Sequence, residues 1–170
     1  MSAEARQDQL RLLIAELENE LVRIQRLVDE FGAAGAALDD PSSAALVVYG
    51  AAALIESFYT GMEKALRRIA SALGGMPSGE AWHRDLLTTM TLAIGGIRPA
   101  VLSVEAAHAM DAYLAFRHRF RNLYVFDLER APMATLLEQG PEVYALFERD
   151  LRALIARLVT WVEELETPRR

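Results

Sequence analysis

The sequence predicts an all-α fold, an antiparallel bundle of about five helices, and three observations carry that expectation. Apolar residues recur in steps of three and four along most of the chain. No stretch sustains the period-two alternation of a half-buried strand. The breaks between periodic stretches are short and rich in glycine, proline and capping residues, which favours antiparallel neighbours.

The first helix carries Leu10, Leu13, Leu17, Leu21, Ile24, Val28 and Phe31 on one stripe, with Glu16, Glu18, Glu20, Arg23 and Arg26 on the solvated side. Gly32-Ala33-Ala34-Gly35 is expected to stop it. Asp39-Asp40-Pro41 supplies a cap and a first-turn proline for a second helix, which runs to about Leu73. Gly74-Gly75-Met76-Pro77 breaks the chain again. Ser78 is expected to cap a third helix with Glu80 in its first turn, followed by Trp82, Leu86, Leu87 and Met90. That helix fades at Gly95-Gly96-Ile97-Arg98-Pro99. Ser103 and Glu105 start a fourth helix, expected from about Val104 to Val125. Gly140-Pro141-Glu142 opens the last one, through Leu165, with Val143, Leu146, Phe147, Leu151, Leu154, Leu158 and Trp161 on its stripe.

Composition narrows the function classes. The 170 residues suit one domain over 1–170, since compact domains cluster near roughly 100–150 residues. The absence of cysteine rules out disulfides, thiolate metal sites and cysteine nucleophiles, and suits a reducing compartment. The net charge of −6 argues against a surface coated in basic charge for nucleic acid, though not against a local basic patch. The N-terminal residues are polar with no apolar signal core, and the longest charge-free apolar run, Ala44 to Ile55, is too short to span a bilayer. The expectation is a cytoplasmic protein with no membrane association.

One segment carries chemistry: Phe116-Arg117-His118-Arg119-Phe120-Arg121-Asn122-Leu123-Tyr124. On a helix at about 100° per residue, one arc gathers Arg117, His118, Arg121, Asn122 and Tyr124. The opposite arc gathers Phe116, Phe120 and Leu123. Arginines four residues apart repel each other unless an anion sits between them, and Arg binds phosphate through paired planar donors. A histidine beside them titrates near neutral pH. Arginines plus an acid–base group are what metal-free RNA cleavage requires: the 2′-OH loses a proton, charge builds on the phosphorus centre, and the 5′ oxygen leaves protonated. The same pattern also fits a solvated face, or ion pairs with carboxylates such as Asp127 and Glu129. His83, His108 and His118 have no metal-ligand spacing, and neither a metal nor another cofactor is expected.

Four separated stretches resemble the HepT-like branch of the HEPN superfamily, the toxin halves of nucleotidyltransferase–HEPN toxin–antitoxin pairs. They are Phe58-Tyr59-Thr60-Gly61-Met62-Glu63, Pro77 to Leu87, Arg98 to Ser103, and Phe116 to Tyr124. The resemblance implies a HEPN-like four-helix bundle with an extra helix, paired into a homodimer with an RNA-cleaving cleft at the two-fold interface. It assigns the signature arginine to Arg117 and the motif tyrosine to Tyr124; Arg117 is then expected to hold the scissile phosphate, with Arg121 assisting. Asn122 stands where the motif histidine is expected, so either His118 takes over proton transfer while Asn122 orients a substrate oxygen, or the chain is a weak or inactive relative. Tyr59 and Glu63 are expected either to line the same cleft or to brace the fourth helix. Trp82 is expected to pack, His83 to hold the loop after Pro77, and His108 to lie at the surface. The implied partner is a cognate nucleotidyltransferase antitoxin that adenylylates Tyr124. A non-catalytic helical partner and substrate of that transferase is the alternative.

Overall fold

The computed structural model describes residues 2–40, 42, 44–79, 81–122, 124 and 127–166. Among the described residues there are six helical segments: α1 (Ala3–Asp29), α2 (Phe31–Asp39), α3 (Ala45–Leu73), α4 (Trp82–Met90), α5 (Val104–Phe120) and α6 (Arg130–Glu166). Among the described residues there is no strand, only an isolated bridge between Ile94 and Arg98. The all-α bundle expected from the periodicity is the fold observed. Expectations that rest on Pro41, Glu80, Leu123 and Val125 lie outside the described residues.

Cross-helix contacts fix the antiparallel arrangement. On α1 and α3, Glu16 pairs with Arg68 and Glu20 with Lys64, while the Arg6 guanidinium donates to the Ala72 carbonyl. On α1 and α6, Arg11 pairs with Glu166 and the Tyr144 hydroxyl donates to the Leu21 carbonyl. On α3 and α5, Tyr49 meets Phe120 and Phe58 meets Tyr113. On α5 and α6, Tyr113 donates to the Leu136 carbonyl and Ser103 meets Asp150. In each pair the sequence numbers run in opposite directions. Helix α3 is central, touching α1, α2, α4, α5 and α6. It is also long and apolar enough, by length and composition, to cross a bilayer. In the bundle it buries Ile55, Phe58, Tyr59, Met62 and Leu66 completely.

Several boundaries differ from those expected, each for a local reason. Gly32 to Gly35 do not end a helix: the chain turns at Glu30 and continues as α2, which buries Phe31 and Leu38. That burial offsets a glycine cost of about 1 kcal/mol each in a helix interior. Gly140-Pro141 does not open a helix but lies inside α6. Proline removes one backbone bond there, yet Leu136, Leu137, Val143 and Tyr144 bury both flanking turns. Ser78 does not cap α4, whose N-cap is Ala81 without a side-chain bond. Gly79, at φ +96°, turns the chain between Ser78 and the helix. Ser103 does cap α5, its hydroxyl accepting from the Ala106 amide at 3.1 Å.

Helix α5 stops at Phe120, short of the expected Val125. The Asn122 side-chain amide donates to the His118 carbonyl at 3.0 Å, satisfying one of the carbonyls that a helix end orphans. The α4–α5 connection is tied by the buried Arg98, which donates to the carbonyls of Gly74, Thr89, Leu92 and Pro99.

A Cβ at Gly140 would lie 2.1 Å from the Phe31 ring. The Gly140→Ala variant is therefore expected to lose about 1–3 kcal/mol of stability through overpacking, read as a lowered Tm by calorimetry. A Tm equal to that of the unsubstituted protein would mean that Phe31 yields at no cost.

Candidate functional site

The candidate site forms where α3, α4 and α5 meet. Glu56, Tyr59, Thr60 and Glu63 recur at helical spacing and share one face of α3. Helix α4 contributes Trp82 and His83, and α5 contributes Arg117 and His118. Arg117, the signature arginine, does not face open solvent: its side chain is 8% exposed. Its Nη1 lies 3.4 Å from Glu63 Oε2, and its Nε lies 3.6 Å from Glu56 Oε1. The carboxylates that meet it come from α3, not from Asp127 or Glu129. The Thr60 hydroxyl holds Glu56 by donating to Oε1 at 3.0 Å.

Glu63 is the hub. Its carboxylate is 5% exposed, and Oε2 also stands 2.5 Å from His83 Nδ1. Arg117 Nη1 is 3.2 Å from the same nitrogen, so guanidinium and imidazole share one carboxylate oxygen. The Tyr59 ring lies beneath the guanidinium, 5.9 Å from Cζ to centroid. Burial first, and then the Glu63 charge, push the Tyr59 phenol up from its ordinary pKa, so it stays protonated. Tyr59 Oη and Arg117 Nε are buried without a hydrogen-bond partner among the described residues.

His83 does not serve only the loop after Pro77. It is sandwiched in the cluster: the Trp82 ring lies 3.6 Å away centroid to centroid, and the His118 ring meets it edge-on at 5.4 Å. Arg67 covers Trp82 at 5.2 Å. His83 was therefore missed as a site residue by sequence, which made His118 the sole nearby imidazole. Its spacing to Glu63 and Arg117 carries no motif, and only the fold brings the three together.

His118 is exposed at the cluster's edge. Desolvation, then the positive charges of His83 and Arg117, hold its imidazole below the ordinary value of 6.5. It borders a groove of about 690 Å³ between α4 and α5, also lined by Arg84, Thr88, His108 and Asp111. A larger hollow of about 990 Å³, near Arg6, Arg98 and Trp161, contains none of the cluster residues.

The single polar arc expected for Arg117 to Tyr124 is not formed, because α5 ends at Phe120 and a helical wheel no longer applies beyond it. Arg121 and Asn122 lie exposed in the turn that follows, and Tyr124 is 72% exposed. Arg117 and His118 are brought together with Glu63 and Tyr59, whereas Arg121, Asn122 and Tyr124 lie past the helix end. Phe116 is buried and Phe120 half-buried, as an apolar side requires. His108 is 89% exposed, beside Asp111. No group of residues with metal-binding arrangement occurs among the described residues.

The class that fold and site describe is an all-α antiparallel bundle with an arginine-rich helix end, backed by the buried Glu63 carboxylate and the half-buried His83 imidazole. A family profile described as HepT-like protein matches residues 50–158, and the chain belongs to that family. No curated protein matches the chain. No solved structure matches it either.

Removing the Glu63 carboxylate leaves the buried Arg117 with only the longer pair to Glu56. Glu63→Ala is expected to cost about 3–5 kcal/mol of unfolding free energy by denaturant titration. A loss below about 1 kcal/mol, the scale of an exposed pair, would contradict the hub role.

Proposed function

We propose that the chain is the toxin subunit of a type II toxin–antitoxin pair, a metal-independent endoribonuclease that works as a homodimer in the cytoplasm. Membership of the HepT-like family supports a toxin–antitoxin setting. The observation that carries the enzymatic reading is the neighbourhood of His118: an imidazole kept neutral near physiological pH, one residue from the signature arginine and open to a groove. A neutral imidazole accepts the ribose 2′-OH proton. Arg117, paired with Glu56 and Glu63, braces the helix end from below, while Arg121, exposed beyond it, reaches the scissile phosphate. Asn122, engaged with the His118 carbonyl, takes no part in moving the proton. A second copy brings a second basic helix end into the same cleft.

A second reading rests on Tyr124. Its 72% exposure presents the phenol to another enzyme, here the cognate nucleotidyltransferase antitoxin. The phenolic oxygen would attack the α-phosphorus of ATP and release pyrophosphate, leaving an AMP group beside Arg121. The added phosphate would compete with RNA for the same positive charge. In this reading the chain is a helical binding partner and substrate, with or without nuclease activity of its own.

In EDTA, the purified protein is expected to cleave RNA. Arg121→Ala is expected to slow cleavage about 10- to 100-fold, the worth of a charge-assisted hydrogen bond. Asn122→His is expected to change the rate by no more than about threefold, whereas a gain above about 10² would return proton transfer to position 122. Because the His118 pKa is lowered, its neutral form persists below pH 6.5, and activity is expected to fall only as pH drops through that lower value. A rate that already halves above pH 6.5 would remove His118 as the base. Incubation with the transferase and ATP is expected to add one or more AMP masses, lost in Tyr124→Phe. Addition that persists in Tyr124→Phe would move the acceptor elsewhere.

A further inference from the structure

His118 borders the groove between α4 and α5, but neither Arg117 nor Arg121 lines it. Arg117 is paired with Glu56 and Glu63, and Arg121 lies past the end of α5. The α4 wall of the groove carries a different guanidinium, that of Arg84. We propose that Arg84 is the phosphate-binding residue of this groove, holding the backbone of a single-stranded RNA against His118. For its occupant the proposal rests on the ribonuclease reading above.

Placement is the first support. The two helices run antiparallel: the start of α4 meets the end of α5 where His83 touches His118, and at the other end the Val101 and Leu102 amides donate to the Met90 carbonyl. Arg84, Leu87, Thr88 and Thr91 form one stripe of α4 along the groove, and Arg84 stands at the His118 end of it. Its charge is among those that hold the His118 imidazole below the ordinary value.

Arg84 is also an uncommitted cation. It is exposed, and no carboxylate among the described residues pairs with it. It sits in the first turn of α4, where the helix's partial positive charge opposes a cation. Other arginines meet carboxylates, as Arg68 meets Glu16 and Arg152 meets Glu148. A bound phosphate supplies the charge that Arg84 lacks, and a planar guanidinium grips it through two N–H donors.

The groove itself is graded in charge. Its acidic group, Asp111, lies beside His108 at 3.8 Å and about two turns from His118 along α5. An anion is therefore favoured at the Arg84 end and repelled further along. Buried Leu87 and Leu114 form an apolar floor between the two. The volume of about 690 Å³ falls in the range of pockets that enclose small ligands, enough for a short stretch of the strand.

The test measures binding of a short single-stranded RNA of mixed sequence, fully 2′-O-methylated so that it is not cleaved, by fluorescence anisotropy across a salt series. Arg84→Ala is expected to weaken binding about 10- to 100-fold, the worth of a charge-assisted contact. The slope of log affinity against log salt is expected to become shallower by about 0.7, the share of one phosphate contact in a single strand. Arg84→Lys, which keeps the charge, is expected to keep the slope, and Arg157→Ala, in the separate larger hollow, to change neither quantity. Unchanged affinity and slope in Arg84→Ala would overturn the phosphate site. So would a shifted monomer–dimer equilibrium by sedimentation with RNA affinity unchanged, which would make the groove a protein interface. If the unsubstituted protein still cleaves RNA in EDTA, either result leaves the ribonuclease reading standing. Binding that depends on Arg84 without any cleavage would keep the phosphate site and remove the ribonuclease reading. No binding of RNA by the unsubstituted protein would overturn both.

Discussion

The buried carboxylate of Glu63 is the constraint on which the rest of the site depends. An isolated carboxylate in a protein interior is costly, and it is tolerated only when donors surround it. Here the donors come from two other helices, His83 on α4 and Arg117 on α5. One oxygen atom therefore ties three elements that are distant in sequence. Helix α4 gains most from this. It has nine residues and no side-chain cap, too few to persist without tertiary support. Leu86, Leu87 and Met90 anchor one face of it, Glu63 holds its start through His83, and Arg98 fastens its end.

The same constraint reshapes the electrostatics of the basic segment. Three arginines fall within five residues, but they are not equivalent. Arg117 is sequestered with Glu56 and Glu63, which offset its charge. Arg119 and Arg121 project outward at the end of α5, where the helix's partial negative charge favours cations. A net charge of −6 is compatible with a local basic patch, and Arg119 and Arg121 leave two exposed positive charges at the end of α5.

Much of the fold was legible because burial follows the stripe: Leu10, Leu13, Leu17, Leu21, Ile24 and Val28 are all buried, as their spacing requires. The Ser103 cap was legible for the same local reason. What failed were inferences that let local chemistry outvote tertiary packing. Glycine at 32 and 35 and proline at 141 read as breaks, yet Phe31, Leu38 and the turns around Pro141 hold their helices through contacts distant in sequence. The site divides in the same way. Arg117, His118, Tyr59 and Glu63 could be singled out from residue type and spacing. The role of His83 could not, because nothing local links a histidine on a short helix to a carboxylate 20 residues earlier.

Asn122 shows how a single position can serve chemistry or architecture. A histidine there would carry a titrating ring at the exposed end of α5. Asparagine instead turns its amide back to the His118 carbonyl and closes the helix. That bond secures the backbone of the one residue in the segment whose imidazole stands in the groove. The amide thus removes a proton-transfer group from one position while ordering the chain at another. With Glu63 holding His83 from below and Asn122 securing the backbone at His118 from beyond the helix end, each imidazole is placed by a hydrogen-bonded neighbour. A site ordered in this way relies on fixed placement of its groups rather than on their number.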